Sequence, residues 1–257
     1  MEAVVVPLLS DNYGYLLVDK ATREAAAIDP VEPKKVLAAA EENNADIKYV
    51  LTTHSHWDHA GGNAEFKRLR PSVTIFGGRG DGADAVDQEV WDDDSLDIGS
   101  IKVSVLATPC HTPGHVCYYA TAGDDRAVFT GDTLFIGGCG NFNQGTPQMM
   151  YDALYTKLGR LPDDTRVYVG HEYTVKNLTF ARVVEPDNRA VQEKLAWAEE
   201  QRQAGQYTVP STIGEEKAFN PFMRCHETPV HAYCGTADAV TALATVRERK
   251  TAWGRVK

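Results

Sequence analysis

The six residues His54-Ser55-His56-Trp57-Asp58-His59 constrain this chain more than any other stretch. They follow the apolar run Val50-Leu51-Thr52-Thr53 and precede Ala60-Gly61-Gly62-Asn63. In an extended segment, side chains two apart point to the same side, so His54 and His56 share a face. Asp58 and His59 fall where the following glycines suggest that the chain turns into a helix. A backbone that passes from extended to turning can aim two pairs of ligands at two neighbouring points. Imidazole and carboxylate are donors that suit zinc, iron or manganese. The cluster therefore predicts a metal centre at the end of a strand.

Three other places repeat the pattern. The chain has eight histidines. Six of them, together with Asp58 and Asp132, sit at or just after the ends of apolar runs. Thr108-Pro109-Cys110-His111-Thr112-Pro113-Gly114-His115 is the second place, Phe129-Thr130-Gly131-Asp132-Thr133 the third, and Val169-Gly170-His171-Glu172-Tyr173 the fourth. Loops at strand ends are where a rigid scaffold commonly exposes functional side chains. A lone histidine at a strand end is ordinarily capped or solvated, and Asp132 alone could be a turn residue. Four such places in one chain outweigh those readings. His115 is read as a supporting residue, because the other histidines and aspartates already fill two sites. His226 and His231 lie in the tail and read as surface residues.

The 257 residues suffice for one large domain or for a large and a small one. Hydrophobic residues make up 43% and charged residues 24%, which is ordinary globular composition. The net charge of −10 argues against a surface that tracks nucleic-acid phosphates. The five cysteines are odd in number and contain no CxxC pair, which fits reduced thiols better than disulfides or cysteine-bound zinc. No apolar run is long enough to span a bilayer and no targeting signal is legible, so a cytoplasmic location is expected, with a mitochondrial form also compatible, and a monomer is expected because no exposed apolar stripe is apparent.

Strands are expected over 4–9, 15–19, 25–29, 49–52, 73–76, 101–107, 116–120 and 127–130, with 166–169 as the last strand. Helices are expected over 33–44 and 149–158, and beyond Tyr173 over 177–184, 189–203 and 237–253. The stretch 207–222, with Pro210, Gly214 and Pro221, reads as an extended loop. The layout is a mixed α/β domain over residues 1–173 followed by a smaller helical domain over 174–257.

HxHxDH, then His, then GDT, then GHE resembles the metallo-β-lactamase superfamily. More narrowly, the chain is similar to glyoxalase II, the hydroxyacylglutathione hydrolases. Asp11-Asn12-Tyr13, Leu195-Ala196-Trp197-Ala198 and Asn220-Pro221-Phe222-Met223-Arg224 carry that narrower likeness, which spans essentially the whole chain. The resemblance implies a four-layer αββα sandwich with an all-helical C-terminal domain. It implies one metal held by His54, His56 and His111, a second by Asp58, His59 and His171, and Asp132 bridging them. Zinc is the expected metal, with iron or manganese possible. Two metals about 3.5–4 Å apart lower the pKa of a shared water from about 15.7 towards about 7. The implied reaction is therefore attack of hydroxide on S-(2-hydroxyacyl)glutathione, giving a 2-hydroxy acid and glutathione. Asp58 and Asp132 are the expected catalytic carboxylates.

For the glutathione part, the resemblance implies Tyr173 and, three apart on one face of the last helix, Arg247 and Lys250. The loop after GDT also belongs to this set, through Asn141 and Asn143. Here the chain departs from the family, which has a basic residue at the first position and an aromatic at the second. Weaker binding or an altered thiol preference follows. Other superfamily hydrolases, such as lactonases and β-lactamases, do not predict the helical tail. A glutathione-linked persulfide dioxygenase needs one metal only. A nuclease conflicts with the charge, and a binding module leaves the seven-residue cluster without a purpose.

Overall fold

The computed structural model describes residues 1–255. It opens with β1 (Glu2–Leu8), β2 (Asn12–Val18) and β3 (Glu24–Ile28), then α1 (Pro33–Glu42), β4 (Asp46–Leu51), α2 (Trp57–Ala60), α3 (Asn63–Leu69), β5 (Thr74–Gly78) and β6 (Gln88–Val90). These six strands make one sheet, ordered β1-β2-β3-β4-β5-β6. The first two pairings are antiparallel and the remaining three parallel.

Both faces of this sheet are buried, and the two-residue period of a strand divides its side chains between two cores. Tyr13, Tyr15 and Leu17 of β2, with Leu51 of β4 and Phe76 of β5, join the core shared with the second sheet. Leu16, Val18, Val50 and Ile75 face the other way, against Val36 and Ala40 of α1 and Phe66 of α3. Helix, sheet and sheet are thereby three layers.

The second sheet contains β7 (Ser95–Ile98), β8 (Ile101–Ala107), β9 (Val116–Ala122), β10 (Asp125–Gly131), β13 (Arg166–Val169) and β14 (Ser211–Thr212), ordered β14-β13-β10-β9-β8-β7. Between β10 and β13 lie a small hairpin of β11 (Leu134–Phe135) and β12 (Gly138–Cys139), and α4 (Pro147–Tyr151), which continues as a wider turn over Asp152–Lys157. The remaining helices are α5 (Thr174–Val184), α6 (Arg189–Gln203), α7 (Ile213–Phe219), α8 (Thr228–Cys234) and α9 (Ala239–Arg255). Their apolar residues, among them Leu178, Leu195, Phe219, Phe222 and Leu243, continue the inter-sheet core without a break. The two facing sheets are the sandwich expected, followed by a helical C-terminal region.

The expected elements recur within a few residues, and α6 matches at both ends. Three expectations are corrected. Arg166–Val169 is not the last strand, because β14 returns from residue 211 to pair with β13. The stretch 207–222 is no extended loop: it holds β14, α7 and a turn of 3-10 helix over Pro221–Met223. Thr212 accepts from the Glu215 backbone N–H while Glu215 returns the bond to Thr212, a capping box that starts α7 beside two prolines. The short strands β6, β7, β11 and β12 and helix α8 have too few residues to show a period. His231 is half-buried, and its Nε2 lies 2.8 Å from the Cys225 carbonyl, so it ties down a turn and is not a plain surface residue. His226 is exposed. All five cysteines are unpaired and buried. Among the described residues, no helix is long and apolar enough to cross a membrane.

Candidate metal centre

The strand ends converge. β4 stops at Leu51, and residues 52–56 run extended to His56, the N-terminal cap of α2. His54 and His56 thus lie in the extended stretch, with Asp58 and His59 in the helix. β10 and β13 are parallel, so both carry their C-terminal ends to the same edge, where Gly170 N–H donates to the Gly131 carbonyl at 3.0 Å. Gly131 has φ +46°, a conformation that favours glycine, and the bend directs Asp132 into the centre. A Cβ on Gly170 would lie 2.6 Å from Asp132 Oδ1, so that glycine leaves the space the carboxylate occupies.

Outer partners decide which ring nitrogens point inward with a lone pair. His59 Nδ1 is 2.9 Å from Asp29 Oδ2, His171 Nδ1 is 2.9 Å from Asp11 Oδ1, and His111 Nδ1 is 3.0 Å from the Asn141 carbonyl. Carboxylate and carbonyl oxygens only accept, so each Nδ1 carries the proton and each Nε2 the lone pair. Thr53 Oγ1 donates to Asp29 Oδ2 at 2.6 Å and therefore accepts from His54 Nδ1 at 3.0 Å, which assigns His54 in the same way.

The inward nitrogens form two groups. His54 Nε2 and His111 Nε2 each lie 3.1 Å from His56 Nδ1, and His59 Nε2 lies 3.2 Å from His171 Nε2. Asp132 stands between them, with Oδ1 3.3 Å from His59 Nε2 and Oδ2 3.4 Å from His111 Nε2. Asp58 Oδ2 is 3.4 Å from His171 Nε2 and accepts from Asn12 Nδ2 at 3.1 Å. The donor atoms of His54, His56 and His111 all lie within 4.8 Å of one another, as do those of Asp58, His59 and His171. Asp29, His54 and His59 make a third such group, but the Asp29 oxygens are already taken up by Thr53 and His59.

The arrangement fits cations. Lone pairs facing each other at these distances repel unless a positive charge lies between them. Asp132 Oδ1 is buried with no hydrogen-bond partner among the described residues, a costly state for a carboxylate that a metal would relieve. With no cation between the donors, Asp132 and Asp29 overcome the burial that disfavours charge on His59 and raise its pKa well above the ordinary range, so that a proton takes the place a metal would fill. Burial likewise acts to raise the Asp132 pKa, but His59 and its other histidine neighbours bring it down to about 2. His115 is different. Its Nε2 accepts from the Asp132 backbone N–H at 3.2 Å, so it points away from the donors and steadies the Gly131 bend.

From this centre a cavity of about 580 Å³ opens along α9. Asp11, His111, Asp132 and Tyr173 line its inner end, and Asn141, Arg247 and Lys250 line it further out. The Tyr173 ring stacks on His171 at 4.7 Å between centroids. Arg247 Nη1 donates to the Cys139 carbonyl at 2.9 Å, while its Nε is buried without a partner among the described residues. Burial and the nearby Arg247 push the Lys250 ammonium down to about 7, and it donates to Asn177 Oδ1. Asn143 is exposed and is not among the cavity-lining residues. Sequence reasoning gave neither Asp11 nor Asp29 a role at the site, although Asp11 lay in a segment that carries the family likeness and Asp29 stands at a strand end. Lys176 and Arg255 of the cavity wall carried no such mark.

The metallo-beta-lactamase superfamily model matches residues 14–171, and the hydroxyacylglutathione hydrolase C-terminus model matches residues 172–253. The cytoplasmic hydroxyacylglutathione hydrolase of Arabidopsis thaliana is 49% identical over 256 residues, covering 98% of this chain and 99% of the relative. Among solved structures, ETHE1 from Myxococcus xanthus aligns with a TM-score of 0.70 at 28% identity, covering 97% of this chain and 91% of that one. TTHA1623, solved in a di-iron-bound form, aligns with a TM-score of 0.60 at 25% identity, covering 86% of this chain and 100% of that one. The likeness runs through both the strand-end centre and the helices behind it, and the chain belongs to the hydroxyacylglutathione hydrolase family of the metallo-β-lactamase superfamily.

Proposed function

We propose that this chain hydrolyses S-(2-hydroxyacyl)glutathione, with S-D-lactoylglutathione giving D-lactate and glutathione, at two divalent metal ions. The observation that carries the reading is the pair of inward-facing donor sets with a shared buried carboxylate, at the head of a cavity with cations further out. His54, His56 and His111 would hold one metal, Asp58, His59 and His171 the other, and Asp132 both. Imidazole with carboxylate suits zinc, and also iron or manganese. When bound there, two such ions would supply hydroxide at neutral pH and polarise the thioester carbonyl.

The chain's own residues do the rest. Asn12 holds the Asp58 carboxylate, leaving that group placed to accept a proton from water. Asp11 and Asp29 fix the ring orientations of His171 and His59. Tyr173, Arg247 and Lys250 position the glutathione part, and Asn141 contributes its backbone to His111 and its side chain to the cavity wall. A thiol of ordinary pKa near 8.5 leaves as thiolate, so no dedicated acid is required. The second donor set weighs against a one-metal persulfide oxidation. Residues 1–173 act as the catalytic unit and 174–257 as the substrate-binding unit of a cytoplasmic monomer.

The test is thioester hydrolysis across glutathione and other thiol carriers, with metal content measured on the same sample. Turnover of S-D-lactoylglutathione with close to two metals per chain is expected. A fully metallated sample that cleaves no glutathione thioester overturns the reading.

A further inference from the structure

The cavity is segregated by charge. Its carboxylates, Asp11 and Asp132, lie at the metal end, while its outer wall carries Arg247, Lys250, Lys176 and Arg255. Four cations in one cavity are conspicuous in a chain of net charge −10. On α9, positions 247, 250, 251, 254 and 255 all line the cavity, the spacing of one helical face. From 247 to 255 that face extends roughly 12 Å at about 1.5 Å per residue. Lys176 comes from α5 and is close enough to Lys250 to act on it electrostatically.

The four cations differ in how far they are committed. Arg247 donates to Cys139 and Lys250 to Asn177. Lys176 and Arg255 are exposed, and among the described residues neither has an acidic side chain in ion-pair range. Glutathione joined through sulfur has two carboxylates, one on glycine and one on the γ-glutamyl residue. Arg247 and Lys250 suffice for one of them.

We propose that Lys176 and Arg255 form a second carboxylate subsite, which takes the γ-glutamyl α-carboxylate of the thiol carrier. The inference rests on the glutathione reading above.

The experiment measures binding of S-hexylglutathione, a thioether that cannot be hydrolysed, to the metal-loaded full chain by calorimetry. S-hexyl-cysteinylglycine, which lacks the γ-glutamyl residue, is the comparison ligand. Lys176→Gln with Arg255→Gln should weaken S-hexylglutathione binding roughly three- to tenfold, as expected for exposed charge contacts. Lys176→Glu should weaken it further, and added salt should shrink both effects. Binding of the dipeptide ligand should not change. Equal losses for the two ligands, no loss for either, or no binding of S-hexylglutathione to the wild-type chain would overturn the subsite. Charge-dependent binding without turnover of any glutathione thioester would instead remove the hydrolase reading and leave the subsite standing.

Discussion

Asp11 shows how a residue with no direct role in the chemistry can govern it. Its Oδ1 accepts from His171 Nδ1, and that bond leaves the His171 Nε2 lone pair facing Asp58 and Asp132. Asp11→Ala should therefore lower metal affinity at the Asp58, His59 and His171 set about ten- to a hundredfold. Metal titration against a competing chelator reads this directly, and an unchanged affinity would refute it. Asn141 and Asn143 can now be separated. Asn141 lines the cavity and Asn143 does not. Asn141→Lys should lower KM for S-D-lactoylglutathione by about three- to fivefold, the scale of an exposed charge contact. Asn143→Tyr should add little, and steady-state kinetics on the single and double variants decides the matter. An unchanged KM in Asn141→Lys would end the idea that the missing cation weakens binding. At this scale the candidate donors were legible because their residue types and spacing are chemically specific. Their outer partners were not, since Asp11 lies 160 positions from His171 and no local pattern links them.

Among the elements, the β11–β12 hairpin is held from outside. Asn177 of α5 donates to the Ile136 carbonyl at 3.0 Å, and Asn220 donates to the carbonyls of Phe135 and Gly138 at 3.2 and 3.0 Å. Glu216 of α7 accepts from Gly137 N–H at 3.0 Å, from Asn220 Nδ2 at 2.9 Å and from Ser211 Oγ at 2.5 Å. This hairpin lies between Asp132 and Asn141, so the C-terminal helices brace both the Asp132 carboxylate and the carbonyl that orients His111. Burial pushes the Glu216 carboxyl up from 4.5 to about 7, against the pull of its hydrogen bonds. Because the folded value lies above the unfolded one, its contribution to stability is present below about pH 4.5 and is lost as pH rises through about 7, by up to about 3 kcal/mol. Glu216→Gln cannot ionise. The stability of the wild-type chain should therefore fall relative to this variant over that range, as read from urea midpoints at successive pH values. Parallel pH profiles for the two chains would show that Glu216 does not titrate there. Long elements such as α6 declared themselves by period. The hairpin, two residues a side, has no period at all and exists because distant side chains satisfy its backbone.

On the scale of the whole molecule, metal and fold support each other. Two sheets, bonded where Val116 N–H meets the Thr53 carbonyl, present the donors from four separate strand ends. Without cations, those donors leave facing lone pairs and an unpaired buried carboxylate oxygen. Chelation should lower the thermal midpoint measurably, since a ligand at about a thousandfold above its dissociation constant stabilises the fold by about 4 kcal/mol. Scanning calorimetry with and without chelator tests this, and coincident midpoints would contradict it. By itself the sequence determined the donor residue types, their positions at strand ends and the order of long helices and strands. Each of these is written in neighbours a few residues apart. Tertiary structure alone decided the return of β14 to the sheet, the outer acceptors that orient each imidazole, the bracing of the hairpin and the placing of Lys176 and Arg255 in the wall of one cavity. Those depend on contacts between residues tens to more than a hundred positions apart, which periodicity and composition do not encode.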